Sequence, residues 1–282
     1  MSNPTTIEEQ IQILKEKWFS ISETDNAEKY LKHIWYYRLS HYFNYFLNND
    51  NWEEHSFNNI LNLYIFDRKL KLKISDSIER IEISLKTNII NNLSLLHNNS
   101  CFFTEESIYL NEDKYNKIIL SLENEKNKNK WLREKELTEI KAWELFQWAS
   151  LWSITFFYNS LNTQNQKQIA SVYDLTNASL SSWMLCLTDI RNICAHFDKL
   201  WGTTMVRYLS TKHPKLRKLN IDKNSLFSYI LIIYFLLKEI WIDTHFLDEI
   251  EKLFLDEDYI NIDKEKMWFW KDWKKDIENI LN

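Results

Sequence analysis

Glycine and proline are almost absent from this chain: its 282 residues include one glycine and two prolines. Hairpin turns and loops that cradle phosphate depend on glycine, because it adopts backbone conformations that other residues avoid. The composition therefore excludes the P-loop and the dinucleotide-binding fingerprint, neither of which can be written with a single glycine. It also argues against a sheet protein of this length and predicts an all-α fold.

Cysteines and long apolar runs are scarce as well. Cys101, Cys186 and Cys194 are odd in number and show no paired spacing, which argues against a disulfide framework or a zinc site and fits a reducing cytoplasm. The longest apolar run, residues 226–237, is too short to span a bilayer and is predicted to be a fully buried helix. The N-terminus does not resemble a signal peptide. We expect a cytoplasmic protein without a membrane segment.

An overall excess of positive charge is also missing, since 35 basic residues face 40 acidic ones and the net charge is −5. Any contact with nucleic acid would have to use a local basic patch. Aromatic residues, in contrast, are plentiful: 13 Trp, 14 Tyr and 16 Phe. Such rings fill a core and also stack on bases, and for any single ring we favour the core.

Apolar residues recur at spacings of three and four along most of the chain, which indicates amphipathic helices in a single all-α domain, residues 1–282. We divide it into N-terminal helices (6–96), an irregular segment or insertion (97–136), a core (137–250) with a helix at 181–201, and a C-terminal tail (251–282). The helices predicted in the first and third parts cover 6–18, about 26–47, 57–96 (one helix or two), 137–162 and 163–173. Thr5 or Thr6 followed by Glu8 or Glu9 resembles a capping box at the start of the first helix.

The stretch TDIRNICAHFDKLWG, residues 188–202, separates into two faces when placed on a helix. The residues predicted to be buried share an arc of about 120°: Ile190, Ile193, Cys194, Phe197, Leu200 and Trp201. The opposite arc carries Thr188, Asp189, Arg191, Asn192, Ala195, His196 and Lys199. Asn192 lies one turn before His196, so its side chain could hydrogen-bond the imidazole.

Arg191 and His196 lie about 140° apart around this helix and about 7.5 Å apart along it. A second copy of the helix facing the first would bring two arginines and two histidines together, as a symmetric dimer does. Spacing alone leaves two interpretations open, an active site or a structural arginine with a solvent-facing histidine.

The surrounding residues are similar to a known family. RNICAHFDKLW resembles the Arg-Asn-x-x-Ala-His motif of HEPN ribonucleases, in particular the abortive-infection AbiD/AbiF family. Three further stretches resemble blocks of that family: YYRLSHYF (36–43), YIFDRKLKLKISDSIERIEISLKTNI (64–89) and LSSWMLCLTDIRNICAH (180–196). The family commonly has Arg at Lys199, Asn at Gly202 and Gly at His41. The loss of arginine's planar fork puts the role of Lys199 in doubt.

The resemblance implies a HEPN-type helical bundle with additional N- and C-terminal helices. It also implies an endoribonuclease that acts in phage defence without a metal or another cofactor. RNA supplies its own nucleophile, the 2′-OH, so His196 would transfer protons and Arg191 would neutralise the phosphate. Asn192 would orient His196 or bind phosphate. Lys199, Arg38 and Thr188 are candidate RNA contacts.

Several alternatives stay open. The chain could be a non-catalytic RNA-binding module partnered with a small structured RNA, or a toxin held inactive by an antitoxin, and its activity could require a trigger. We expect a homodimer formed through the motif helix. Arg38, Arg68 and Arg80, together with nearby glutamates, form either an ion-pair network, which we favour, or an RNA track. The carboxylates of residues 246–259 are explained by an acidic helix face rather than by a metal site.

Overall fold

The computed structural model describes residues 4–22, 26–47, 55–217, 221–241, 245–259 and 261–281. These ranges hold twelve α-helices and no β-strand, which confirms the predicted all-α fold. The helices are α1 (Ile7–Glu16), α2 (Ala27–His33), α3 (Tyr36–Leu47), α4 (Phe57–Leu96), α5 (Glu112–Lys128), α6 (Ala142–Phe146), α7 (Leu151–Ser160), α8 (Thr163–Ser171), α9 (Asn177–Ala195), α10 (Leu226–Glu239), α11 (Phe246–Leu255) and α12 (Trp273–Leu281).

Helix α4 is the centre of the molecule. The region predicted as one helix or two is a single helix of 40 residues, about 60 Å long. It packs against α3, α6, α7, α8, α9, α10 and α11. Its apolar stripe is fully buried from Ile60 to Leu93, so α4 acts as a common support for the helices that carry the candidate site.

The N-terminal helices fit the prediction in part. Helix α1 has the predicted capping box, with Thr6 and Glu9 bonding each other's backbone N–H. The helix predicted from about 26 to 47 is wrong as one unit, because Ile34 is extended (φ −118°, ψ 112°) and separates α2 from α3. The carbonyl of Trp35 then accepts the first bonds of α3. Neither glycine nor proline marks this break.

The middle of the chain also differs from the prediction. The segment 97–136 is more regular than expected, since it contains α5. The helix predicted at 137–162 is divided into a short 3-10 helix, α6 and α7, with Ser150 capping α7 through its side chain. The predicted helix at 163–173 is confirmed as α8. The division of the chain at residues 96, 136 and 250 stays a prediction.

The C-terminal part closes the core. Helix α10 is buried almost throughout, as predicted. The aromatic tail packs onto it and onto α11: the ring of Phe269 lies 5.5 Å from Phe227, 4.9 Å from Phe254 and 5.0 Å from Trp273, centroid to centroid. Across the described ranges, the helices lack the combination of length and apolar character that crossing a membrane requires.

Candidate active site

The motif helix is shorter than the sequence indicates. Helix α9 ends at Ala195, with His196 as its C-cap and Phe197 in the left-handed region at φ 59°. Phe197 N–H donates to the Cys194 carbonyl at 3.3 Å and Asp198 N–H donates to the Ile193 carbonyl at 3.0 Å. These two bonds form a Schellman motif, in which glycine usually occupies the left-handed position. The predicted helix at 181–201 is therefore wrong beyond residue 195.

The early end of α9 changes the face on which Phe197 lies. It was predicted to be buried, but its side chain is 67 % exposed because the left-handed turn directs the chain away from the helix axis. Ile190 and Cys194 are buried and Ile193 is partly buried, as the helical arc predicts. Leu200 and Trp201 are buried too, but they reach the core from the non-helical segment that follows α9 rather than from the helix.

A buried carboxylate explains why the chain leaves the helix here. Asp67 on α4 is fully buried and accepts hydrogen bonds from the backbone N–H groups of Leu200 (3.1 Å) and Trp201 (2.6 Å). Lys71, one turn further along α4, pairs with Asp67 at 2.9 Å and donates to the Asp198 carbonyl at 2.8 Å. Buried backbone N–H groups that lie outside a helix need such partners. Asp67 and Lys71 therefore hold the segment 198–201 against α4.

Tyr42 completes this buried anchor, which we define as Asp67, Lys71 and Tyr42. Its hydroxyl donates to Asp67 at 2.7 Å. Burial first, and then the Asp67 charge, raise the pKa of Tyr42, so the hydroxyl stays protonated and keeps donating. Because Tyr42 lies on α3, the anchor joins three parts of the site: α3, α4 and the segment that follows His196.

Arg191 and His196 are exposed near the end of α9, and Asn192 is partly exposed. Within the described part of the chain, none of their side chains has a hydrogen-bond or ion-pair partner. The bond suggested between the Asn192 side chain and the imidazole is therefore not formed; the two residues are joined only through the backbone, where the Asn192 carbonyl accepts the His196 N–H at 2.9 Å. Asp189, an acid on the same helix, is bound by Arg207 and does not neutralise Arg191.

Arg38 and Lys199, predicted as RNA contacts, line one cavity of about 370 Å³ beside this helix end. Arg38 Nη1 donates to the Phe197 carbonyl at 2.7 Å, and its guanidinium carbon lies 5.7 Å from the Phe197 ring centre. Lys199 is half-buried, which lowers its pKa, and its ammonium lies 5.8 Å from the Trp201 ring centre. The other residues that line the cavity are Trp35, Tyr37, His41, Tyr42, Phe197 and Asp198.

Thr188 is not available to RNA, so its predicted role is wrong. Only 4 % of the residue is exposed; its hydroxyl lies 3.2 Å from that of Thr155 on α7 and donates to the Met184 carbonyl at 2.8 Å. The helical arc placed Thr188 on the polar side, but α7 covers that part of α9. Sequence periodicity shows which residues share a face, not which neighbour covers it.

The contacts between α7 and α9 also set their register. The Ser181 hydroxyl donates to the Asn159 side chain at 2.5 Å, and the Thr188 hydroxyl lies 3.2 Å from that of Thr155. These two pairs show that α7 and α9 run antiparallel. One turn beyond the threonine pair, Trp152 on α7 reaches the height of Arg191 and Asn192. Trp152 is exposed and stacks on Phe156, with centroids 5.4 Å apart and an interplanar angle of 19°.

The other charged groups considered in the sequence do not form one network. Arg80 pairs with Asp76 at 3.1 Å, while Glu82 pairs with Lys86 at 2.8 Å. The carboxylates of α11 are bound by lysines, as in the pairs Lys73–Glu249 and Lys274–Glu251. Among the described residues, no three His, Cys, Asp or Glu side chains are grouped as metal ligands.

Sequence reasoning overlooked the anchor, although a signal was present. Asp67 and Lys71 lie four residues apart within the apolar stripe that runs from Leu63 to Ile74. An acid and a base at core positions of a helix indicate a buried pair, because an unpaired charge there is very costly. The exposed rings Trp35, Tyr37 and Phe197 were missed as well, and no comparable pattern marks them.

Comparison with known proteins identifies the family. A family model described as Abi-like protein matches residues 29–202, more than half of the chain. The chain belongs to the Abi-like protein family. Neither the curated proteins nor the solved structures contain a match to it.

The part matched by the Abi-like family runs from α2 to Gly202, and it contains the anchor, the cavity and all of α9. Helices α10, α11 and α12 lie outside the match, as does α1. Membership of the Abi-like family suggests a role in abortive infection, that is, in defence against phage.

Proposed function

We propose that this Abi-like protein is a HEPN-type endoribonuclease that cleaves RNA in abortive infection without a metal ion. The observation that carries the proposal is that Arg191 and His196 are exposed and that the rest of the described fold does not bind their side chains. Both side chains are exposed within five residues of each other, and neither has a hydrogen-bond or ion-pair partner in the described ranges. An arginine and a histidine that the fold does not use are available to a ligand.

The chemistry follows from what these groups can exchange with RNA. His196 accepts the proton of a 2′-OH, whose oxygen then attacks the adjacent phosphorus as the bond to the 5′-oxygen breaks. Arg191 donates to the phosphate oxygens as negative charge builds on them. A proton returned to the leaving oxygen completes the reaction. The products are a 2′,3′-cyclic phosphate and a 5′-OH, and no water or external nucleophile enters this step.

The buried anchor supports the proposal by fixing the exit of α9. His196 is the last residue before the chain turns, so its position depends on the segment that Asp67 and Lys71 hold. A catalytic base must lie within hydrogen-bond reach of the proton it removes. Asn192 remains available to contact phosphate.

The dimer also belongs to the proposal. Arg191 and His196 point about 140° apart around an ideal helix, so one RNA phosphate is reached more directly by Arg191 of one copy and His196 of another. A twofold axis beside the end of α9 would form two such composite sites. The exposed end of the helix leaves room for this pairing.

The proposal is tested by cleavage of end-labelled tRNA and total RNA in EDTA. We expect the wild-type protein to leave 2′,3′-cyclic phosphate ends and the variants Arg191→Ala and His196→Ala to lose at least about 100-fold in rate. Matched controls are Arg133→Ala and His33→Ala, which remove an exposed arginine and an exposed histidine elsewhere. Wild-type rates in either site variant would reject the catalytic assignment.

The alternative is an RNA-binding module that does not cleave. The cavity around Arg38 and Lys199 favours it, because exposed rings and cations hold RNA without any proton transfer. A gel shift and a cleavage assay on the same RNA separate the two: retention of intact RNA that depends on Arg38 and Lys199 would replace the nuclease proposal. A requirement for phage infection, or inhibition by a small RNA or protein, would indicate a trigger or an antitoxin.

A further inference from the structure

The cavity next to His196 has walls that the proposed chemistry does not use. One wall is Phe197, the residue that follows His196, and the other is the start of α3. The volume, about 370 Å³, lies in the range of pockets that hold small organic groups. The break between α2 and α3 places the first turn of α3 here, so the cavity depends on the interruption that the sequence did not reveal.

Three aromatic rings around this cavity are exposed. Trp35 is 72 % exposed, Tyr37 61 % and Phe197 67 %. The rings of Trp35 and Tyr37 lie 5.8 Å apart at an interplanar angle of 52°, so they form one corner of the cavity. Large rings are usually buried, and three exposed rings around one concave site offer their faces to a planar partner.

Cationic groups lie between these rings. These are Arg38 and Lys199, which line the cavity; the ring of His41 also lines it and lies T-shaped against Tyr37, with centroids 5.0 Å apart. One acidic side chain, Asp198, lies among them. A partner that combines a flat apolar face with negative charge matches this lining.

Phe197 is held in place at a cost. Its left-handed backbone is unfavourable for a residue with a Cβ atom. The Schellman bonds maintain the turn, while Arg38 binds the Phe197 carbonyl and lies over its ring. Glycine would form the same turn without strain, and strained residues held by their surroundings often lie at functional sites. Eight non-glycine residues in the described ranges have a positive φ, so it is the place of the Phe197 ring beside the cavity, rather than the strain alone, that distinguishes it.

We propose that this cavity binds an unpaired nucleobase of the RNA, next to the phosphate that is cleaved. The base stacks on Phe197 and is enclosed by Trp35 and Tyr37, while Arg38 and Lys199 contact the neighbouring phosphates. The inference rests on the proposed function for its ligand, RNA. It adds that the substrate is single-stranded at this point, because a base that is paired and stacked within a duplex is not free to stack on the Phe197 ring.

The test measures stacking separately from cleavage. In a His196→Ala background and in EDTA, a short single-stranded RNA with one 2-aminopurine is titrated with protein, and the quenching of its fluorescence reports stacking. Phe197→Gly removes the ring and relieves the backbone strain, so the protein should be at least as stable to urea. We expect the Phe197→Gly variant to bind the RNA about tenfold more weakly and to lose the quenching. Phe197→Tyr should keep both the affinity and the quenching.

Trp241→Ala provides a matched control. Trp241 follows the C-cap of α10 in the same left-handed conformation (φ 55°) and is 94 % exposed, but it does not line this cavity. The pocket is rejected if Phe197→Gly quenches and binds like its parent, if Trp241→Ala weakens binding equally, or if the parent binds no RNA. If the quenching depends on Phe197 but the wild-type protein does not cleave RNA, the nuclease proposal is rejected and the nucleobase-binding cavity is retained.

Discussion

At the residue scale, the site depends on a carboxylate that never meets solvent. Asp67 accepts hydrogen bonds from two backbone N–H groups, a tyrosine hydroxyl and the ammonium of Lys71. Each of these donors would lose a partner without it, and buried donors without partners are costly. The position of His196 is therefore determined from α4, a helix that carries none of the proposed catalytic groups.

The first prediction compares two pairs of opposite charge on α4, both four residues apart. Asp67→Asn leaves Lys71 buried without its counter-ion and should lower the free energy of unfolding by about 3–5 kcal/mol. Asp76→Asn breaks the exposed pair with Arg80 and should cost less than about 1 kcal/mol. Urea denaturation measures both values. Equal effects would contradict the anchoring role of Asp67.

The second prediction concerns Thr188. Thr188→Val removes a buried hydroxyl that contacts Thr155 and the Met184 carbonyl, so it should cost about 1 kcal/mol of stability. The RNA dissociation constant should not change, because the side chain is covered by α7. A filter-binding titration beside the urea curve measures both. Weaker RNA binding at unchanged stability would restore Thr188 as a contact.

At the element scale, the sequence was informative where helices are continuous. The apolar spacing of α4, the buried run of α10 and the capping box of α1 all predicted what the structure contains. The sequence pattern was misleading about where helices end. The end at Ala195 depends on acceptors and donors supplied by α4, and the break at Ile34 has no glycine or proline. A pattern within one segment carries no information about such distant partners.

The same limit applies to the site. Arg191, Asn192 and His196 could be selected from one stretch of sequence, and Arg38 and Lys199 could be proposed as contacts. That Phe197 turns outward and forms a cavity with α3 could not be inferred, since Arg38 and Phe197 are 159 residues apart in the chain. Long-range contacts of this kind require the tertiary structure.

The third prediction follows from how α9 packs. Cys186 and Cys194 are buried in the helix, and burial raises the pKa of each thiol to about 11. The reactive thiolate is therefore scarce below about pH 9. Ellman's reagent at pH 8 should leave both cysteines unmodified in the folded protein and modify all three after denaturation. Cys101 is partly exposed and serves as the internal comparison; rapid labelling of Cys194 would mean that α9 does not pack as described.

At the scale of the whole molecule, the proposed ligand, RNA, is a polyanion, whereas the protein itself is acidic. The net charge of −5 repels RNA at long range, so the proposed binding has to come from local groups, among them Arg38, Arg191 and Lys199 around the end of α9. The dimer proposed above doubles the number of cations along one RNA strand. This arrangement favours selective binding over avid coating.

The last prediction tests the composite site by mixing inactive variants. In a dimer formed from one Arg191→Ala chain and one His196→Ala chain, one site loses both groups, whereas the other combines an intact Arg191 with an intact His196. When the two variants associate at random, about half of the dimers contain one chain of each kind, and each of these has one working site of two. Mixing the variants should therefore restore about a quarter of wild-type cleavage. Either variant alone stays inactive, and a mixture of two His196→Ala preparations controls for exchange itself. A mixed sample that exchanges subunits, shown by size-exclusion of differently tagged chains, yet remains inactive would place Arg191 and His196 of a single chain in each site.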